Sequence, residues 1–131
     1  MKSMRAELIK HQIAQYLLNE HTLAYAVTDL DLMVTEWGGE TRLFPHSLRP
    51  IVAGSLYDLA PELIGSEEEL LAVLAGELPE FRLPYVNRGA PGEPVQYLNL
   101  VNLPSQDSRN RIVGILHLVE DVTTLGGMEQ K

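Results

Sequence analysis

The side chains best suited to chemistry in this 131-residue sequence are four histidines, His11, His21, His46 and His117. Their spacing matches no metal-ligand pattern, so we expect no metal site. His117 differs from the others because it lies in the near-apolar run 112–119, where one imidazole can orient a ligand by hydrogen bonding. A structural role, in which this ring satisfies a buried backbone group or a water, stays open.

Motifs of enzymatic catalysis are absent from the sequence. It has no Gly-rich phosphate loop, no nucleophile elbow and no paired histidines on one helix. It also has no cysteine, which excludes thiol nucleophiles, cysteine zinc sites and iron–sulfur ligation. The run Glu67-Glu68-Glu69 is typical of a first helical turn, with Ser66 as N-cap and Glu69 at the capping-box position. We therefore predict a protein that is not an enzyme.

The composition indicates one soluble domain. The chain has 10 Lys and Arg residues against 18 Asp and Glu, which gives a formal net charge of -8. Such a chain repels nucleic acid and anionic membrane, so we expect neither as a partner. The first residues contain no apolar segment of a secretory signal, and we expect a cytoplasmic protein.

The elements that must position these side chains begin with a helix. Apolar residues recur at three- and four-residue spacing over 4–20, which predicts an amphipathic helix within a flanking segment, 1–22. Its apolar stripe includes Ile9, Ile13 and Tyr16. This stripe fits two heptads of a coiled coil as well as a helix packed on its own domain.

Five strands are predicted from β-branched and aromatic residues bounded by turn formers. They cover 24–28, 32–37, 80–87, 95–103 and 109–122, with one clear helix over 66–78. Asp29-Leu30-Asp31 forms the first turn, and Gly38-Gly39 ends the second strand. Pro84 cannot donate to a central ladder, so the third strand should lie at a sheet edge. This order of elements predicts an α+β fold.

Five short segments together carry a family resemblance. They are Val27-Thr28-Asp29-Leu30-Asp31 before Trp37, Gly54-Ser55-Leu56-Tyr57-Asp58-Leu59, Pro104 with Asp107, Val113-Gly114, and Glu120-Asp121-Val122-Thr123. The pattern resembles the PAS family of sensory domains over about residues 23–123, and the closing Asp-x-Thr is its most specific element. Leu32, Gly38 and Gly126-Gly127 depart from it, the last by interrupting the helix expected beyond the threonine.

The resemblance implies a five-stranded antiparallel sheet in the order 2-1-5-4-3, with short helices over one face and a small-molecule pocket between them. It implies a sensor domain over 23–123 that signals through a flanking helix, with Asp121 and Thr123 at the exit. Residues 124–131 would then link this domain to an output module such as a kinase or cyclase. The predicted function is therefore sensory or regulatory, in a signal-transduction protein.

Strand alternation, with its register taken from the resemblance, assigns side chains to the two faces of the sheet. The predicted pocket residues are Leu98, Leu100, Asn102, Ile115, His117 and Val119. Only Asn102 and His117 among them are polar, so these two would orient a ligand by hydrogen bonding. For Asn102, as for His117, a structural role in which the side chain satisfies a buried backbone group or a water stays open.

The opposite face of the sheet is predicted to be an interface. Leu116 and Leu118 are apolar there, and the stripe of Ile9, Ile13 and Tyr16 would cover them, from the same chain or from a second copy. We therefore predict a homodimer.

The resemblance also limits the cofactor. Without cysteine, the chain cannot form the flavin adduct of photoactive members of the family. Haem is not expected, because the predicted helix 66–78 contains no histidine. The identity of any other cofactor or ligand stays open.

Two other functions also stay open. In a ligand-free dimerisation or docking module, side chains would fill the pocket. In a small α+β enzyme of the ketosteroid-isomerase type, Asp29 and Tyr25 would move protons. That type has several helices before its main sheet, whereas a hairpin comes second here, so the enzyme is the less favoured of the two.

Overall fold

Five antiparallel strands form a sheet in the part of the chain that the structure describes. They are β1 (Leu23–Thr28), β2 (Val34–Gly39), β3 (Phe81–Asn87), β4 (Tyr97–Gln106) and β5 (Ile112–Asp121). Their order across the sheet is β2-β1-β5-β4-β3, so the predicted α+β fold and strand order are confirmed. The first and last strands in sequence are therefore neighbours at the centre of the sheet.

Helices complete the fold. The computed structural model describes residues 2–20, 23–45, 54–89, 91–92 and 94–123. The helices are α1 (Lys2–Glu20), α2 (Leu56–Leu59) and α3 (Glu67–Leu74), with 3-10 turns at Thr41–Leu43 and Pro61–Leu63. The predicted linker 124–131, together with His21 and His46, lies outside the described residues. No helix in the described ranges combines the length and apolarity needed to cross a membrane.

The core lies between one face of the sheet and the short helices. This inner face carries the fully buried residues Ala24, Ala26, Leu98, Leu100, Asn102, Ile115, His117 and Val119. Helical side chains that pack in the same buried cluster are Leu56, Leu59, Leu63, Leu70 and Val73. Burial of these apolar groups is the main free-energy source of the fold, at about 25 cal/mol per Å² removed from water.

Strand β3 lies at the edge of the sheet, as Pro84 predicts. The pairing of β3 with β4 shifts between Leu83 and Val86, so the strand bulges at the proline. Tyr85, inside the bulge, has a φ of 53°, and its backbone N–H donates to Oδ1 of Asn99 at 3.0 Å. The bulge thus absorbs the missing donor of Pro84 without breaking the strand.

The first hairpin differs from its prediction. Strand β2 begins at Val34 rather than at residue 32, because Leu32 has a φ of 63° and cannot continue a strand. The carboxylate of Asp29 accepts hydrogen bonds from the backbone N–H groups of Asp31 and Met33, at 2.9 and 3.0 Å. This turn is therefore longer than the three residues predicted for it.

Gly38 and Gly39 are the last two residues of strand β2. A Cβ on Gly38 would lie 2.6 Å from Oη of Tyr25, so the first glycine leaves room for a phenol ring. Gly39 has a φ of 76°, in the left-handed region that glycine adopts without strain.

The capping box predicted at Ser66 and Glu69 is wrong. Ser66 stands at the N-cap of α3 with φ -111° and ψ 28°, and its side chain makes no capping hydrogen bond. A reciprocal capping box forms instead at Ser55 and Asp58, because Ser55 has the extended backbone that an N-cap needs. Helix α3 also ends at Leu74, four residues earlier than predicted.

Candidate functional site

A row of paired residues crosses the inner face at the middle of the sheet. His117 on β5 lies opposite Ala26 on β1 and Asn102 on β4, and Asn102 in turn lies opposite Phe81 on β3. His117 and Asn102 are both fully buried. The two polar side chains that the sequence singles out are therefore neighbours, as the pairing of β4 with β5 requires.

The apolar members of the predicted pocket surround this polar pair. Leu98, Leu100, Ile115 and Val119 are fully buried in the main core cluster. Surface cavities of about 410, 390 and 330 Å³ lie among the described residues, and none of these is lined by any of the six predicted pocket residues. It therefore stays a prediction that the six residues form a ligand pocket.

The orientation of the polar pair follows from its hydrogen bonds. Nδ2 of Asn102 donates to the backbone carbonyl of Phe81 at 3.2 Å, which turns the amide oxygen towards His117. That oxygen lies 2.7 Å from Nδ1 of His117. An amide oxygen only accepts, so the proton of the neutral imidazole is on Nδ1.

His117 is held in its neutral form. Burial lowers the pKa of this imidazole to about 3, and the positive charge of Arg88 acts in the same direction. The negative charge of Glu62 opposes both effects, and burial outweighs it. The ring is therefore a hydrogen-bonding group at neutral pH, not a cation.

The second ring nitrogen of His117, Nε2, makes no hydrogen bond to the described residues. This nitrogen is buried. A buried polar atom without a partner costs about 1–3 kcal/mol. A group that supplies this hydrogen bond would recover that free energy.

The neutral His117 makes stability depend on pH. The folded-state pKa is about 3 and the ordinary value is 6.5, so between these values the unfolded chain binds a proton that the folded chain does not. The free energy of unfolding is therefore highest above pH 6.5, where both states leave this ring neutral, and it falls as the pH is lowered. We expect the step from pH 7 to pH 5 to cost about 2 kcal/mol, measured by urea unfolding.

The control for this pH effect is His117→Gln, which removes the titrating ring but keeps a polar side chain. Its free energy of unfolding should change by less than half as much over the same step. Glu62, whose pKa is below its usual 4.5, hardly titrates in this window. An equal pH dependence of the two proteins would contradict the assignment.

A partly buried ion pair whose charges act on His117 was not predicted from the sequence. Nε and Nη2 of Arg88 donate to the two carboxylate oxygens of Glu62, at 2.8 and 2.7 Å. The same guanidinium donates to the backbone carbonyls of Leu43 and Leu59, at 3.0 and 3.1 Å. We call this arrangement the Arg88 clamp, because it ties three helical segments, Thr41–Leu43, α2 and Pro61–Leu63, to the end of β3.

The Arg88 clamp also determines the charge state of Glu62. Burial raises the pKa of Glu62, but the hydrogen bonds and charge of Arg88 more than offset it, and the pKa falls below its usual range. Glu62 therefore stays ionised. In the sequence, Arg88 looks like an ordinary turn residue, since its acid is 26 positions away and nothing local marks the pair.

The predicted exit residues form a compact polar cluster. Oδ1 of Asp121 accepts hydrogen bonds from the backbone N–H and the hydroxyl of Thr123, at 3.0 and 2.6 Å. The Thr123 hydroxyl accepts one from the backbone N–H of Tyr97 at 3.2 Å. The end of β5 is thereby fastened to the start of β4. A cavity of about 330 Å³ adjoins this cluster, lined in part by Arg88.

The predicted interface residues differ in their surroundings. Ile9, Ile13 and Tyr16 are 46%, 54% and 62% exposed, and every residue from 8 to 17 is exposed. The apolar stripe of α1 is therefore not packed on its own domain. Leu116 and Leu118 on the outer face of the sheet are half-buried.

Metal ligation finds no support in the part of the chain that is described. No group of three or more His, Asp or Glu side chains lies close enough there to hold an ion. The Glu67–Glu69 run forms the acidic first turn of α3 instead.

Comparison with known proteins assigns the fold. No protein-family model and no curated protein matches the chain. Among solved structures, it is similar to the PAS domain of a protein from Colwellia psychrerythraea, with 17% identity and a TM-score of 0.60 over 88% of this chain and 98% of that one. It is also similar to the PAS domain of the histidine kinase ThkA, with 19% identity and a TM-score of 0.55 over 76% and 98%.

A third similar structure is the phage VqmA–DPO complex. It has 12% identity and a TM-score of 0.63, over 99% of this chain and 60% of that one. At these identities the likeness concerns the fold, so this chain has a PAS-like fold.

Proposed function

We propose that this chain is a non-catalytic sensory domain that binds a small molecule on the inner face of its sheet. The observation that carries the proposal is the open acceptor at Nε2 of His117, buried in apolar surroundings. A mostly apolar site with a few placed polar groups is typical of small-molecule binding. In this role, Asn102 fixes the ring, and His117 orients the ligand.

The proposed architecture follows the same reasoning. Residues 23–123 are the sensor, 1–22 the flanking helix and 124–131 the link to an output module, such as a kinase or cyclase. Two of the similar solved structures belong to histidine kinases, and another is a complex with DPO. These neighbours favour a signalling role over the isomerase alternative.

The proposed relay runs from the helices to the exit cluster. Arg88 donates to the carbonyl of Leu59 and to Glu62, and it also lines the cavity beside Asp121 and Thr123. A ligand that moves the short helices would therefore move Arg88 at the exit. This continuity supports Asp121 and Thr123 as the place where the signal leaves the sheet.

Native mass spectrometry of the chain purified from its own host tests the proposed ligand. We expect a retained small molecule in the wild type, and its loss by at least tenfold in His117→Phe, because phenylalanine fills the ring position without hydrogen bonding. The matched control is His11→Phe, an exposed histidine on α1, which should retain the molecule fully. A wild type with no retained molecule would favour the ligand-free docking module.

We further propose that α1 pairs with α1 of a second copy. The exposed residues Ile9, Ile13 and Tyr16 lie at spacings of four and three, so they form one apolar stripe on the helix. An exposed apolar stripe of this kind favours self-association. The outer-face residues Leu116 and Leu118 belong to the same proposed interface.

The dimer is tested by light scattering of the full chain. Ile13→Glu places a charge in the stripe of each copy, so we expect the measured mass to fall from that of a dimer to that of a monomer. His11→Glu adds the same charge at an exposed position on the opposite side of the helix, and it should leave the mass unchanged. A dimer that survives Ile13→Glu and the double change Ile9→Glu with Ile13→Glu would contradict the interface.

A further inference from the structure

We infer that the molecule bound at His117 is an uncharged hydrogen-bond donor, with an O–H or N–H group that donates to Nε2. This inference rests on the proposed small-molecule site and deepens it by naming the chemical class of the ligand. It comes from the order of hydrogen bonds across the sheet, which decides which ring nitrogen carries the proton.

The direction of donation is fixed one residue at a time. The carbonyl of Phe81 can only accept, so the Asn102 group 3.2 Å away is its NH₂. The amide oxygen of Asn102 then accepts from Nδ1 of His117 at 2.7 Å. A neutral imidazole has one proton, so Nε2 carries a lone pair and accepts from its partner.

An anionic ligand is disfavoured at this atom. A carboxylate or phosphate oxygen presents only lone pairs, which repel the lone pair of Nε2. The nearby cation does not rescue such a ligand, because Arg88 already uses four of its donors on Glu62, Leu43 and Leu59. Its charge is therefore compensated and its hydrogen bonds are engaged.

A cationic ligand is disfavoured as well. The side chains around His117 include Leu100, Ile115 and Val119, all fully buried. A charge brought into such apolar surroundings loses its hydration and gains no counter-ion, since Glu62 is already paired with Arg88. The remaining class is a small, largely apolar molecule with an uncharged donor, such as a phenol, an alcohol or an azole N–H.

The proton position is measured first, on the ¹⁵N-labelled full chain. The chemical shifts of the two ring nitrogens of His117 distinguish protonated from unprotonated nitrogen. We expect the proton on Nδ1 and a free lone pair on Nε2 near neutral pH. A proton found on Nε2 would overturn the inference, and it would do so without any ligand.

The ligand class is then tested with two matched pairs, phenol with anisole and indole with 1-methylindole. Each pair differs by the methyl group that replaces the donor hydrogen. We expect the donor member to bind the wild type about tenfold more tightly than the methylated member. Binding is measured by the NMR chemical-shift changes of the backbone amides of Ala26 and Asn102. In His117→Phe this preference should disappear, so that both members bind alike. Equal binding of both members to the wild type, or binding of neither, would overturn the inference.

A second variant should abolish the preference. Asn102→Asp puts a carboxylate beside Nδ1, which raises the pKa of the ring and places a proton on Nε2 as well. The ring then donates, so the preference for phenol over anisole should fall at least tenfold. An unchanged preference in a folded Asn102→Asp protein would contradict the inference.

The two proposals fail in different ways. A retained host molecule without an O–H or N–H donor would overturn the ligand class and leave the sensory site standing. A chain that retains no molecule from its host would overturn the proposed site itself.

Discussion

Arg88→Met is expected to lower the free energy of unfolding by about 3 kcal/mol, measured by urea unfolding at neutral pH. The side chains of Arg88 and Glu62 are only 11% and 25% exposed. Removal of the cation leaves a half-buried carboxylate unpaired and takes a donor from the carbonyls of Leu43 and Leu59. The cost is large because each of these groups has given up water for the guanidinium.

A matched control comes from an exposed ion pair in the same chain. Nε of Arg111 lies 2.9 Å from Asp107, but its side chain is 67% exposed. Arg111→Met should therefore cost less than about 1 kcal/mol. Arg88→Lys keeps the charge but not the planar fork, so its cost should lie between those of the two methionine variants.

The double variant Arg88→Met with Glu62→Leu tests whether the cost of Arg88→Met comes from the unpaired carboxylate of Glu62. Since no charge is then left unpaired, this protein should be more stable than Arg88→Met alone. If Arg88→Met were no more costly than Arg111→Met, the Arg88 clamp would not hold the helices to the sheet.

The second large effect is expected for Gly114→Ala, which should cost about 3 kcal/mol or more. A Cβ on Gly114 would overlap the backbone carbonyl oxygen of Thr28, where β5 passes the end of β1. The hydroxyl of Thr28 accepts from the backbone N–H of Ile115 at 3.0 Å and holds the two strands together there. The added methyl can be accommodated only if the backbones of the central strands separate.

Gly38→Ala provides the comparison for Gly114→Ala. Its Cβ would also be too close to a neighbour, but that neighbour is the phenol end of Tyr25, a side chain that can rotate. We expect a cost of about 1 kcal/mol for this variant. Equal stabilities of the two alanine variants in thermal unfolding would mean that β5 shifts freely against β1, contrary to the structure.

Much of the fold was determined by local sequence. Alternation along β4 and β5, with its register taken from the family resemblance, predicted which side chains share the inner face, because a strand turns successive residues to opposite faces. Pro84 predicted the edge strand by its missing N–H. The neighbouring positions of His117 and Asn102 followed from the strand register once the order of strands was implied by the resemblance.

Local signals failed where the backbone around a residue decided its role. Ser66 and Glu69 have the spacing of a capping box, yet Ser66 lacks the extended backbone that would aim its hydroxyl at the helix. Ser55 and Asp58 have the same three-residue spacing and form the box. Spacing alone could not separate the two cases, because the entry path of the chain is set by packing beyond the helix.

Only the tertiary structure decided the chemistry around His117. The Arg88 clamp joins residues that are 26 to 45 positions apart in the sequence. Nothing in the sequence around an arginine indicates a partner at such a distance. The open acceptor at Nε2 likewise depends on which group Asn102 turns towards Phe81. The sequence could therefore indicate which residues are buried, but hydrogen-bond direction and charge pairing arise only when distant segments meet in a folded core, where each polar group must find a partner.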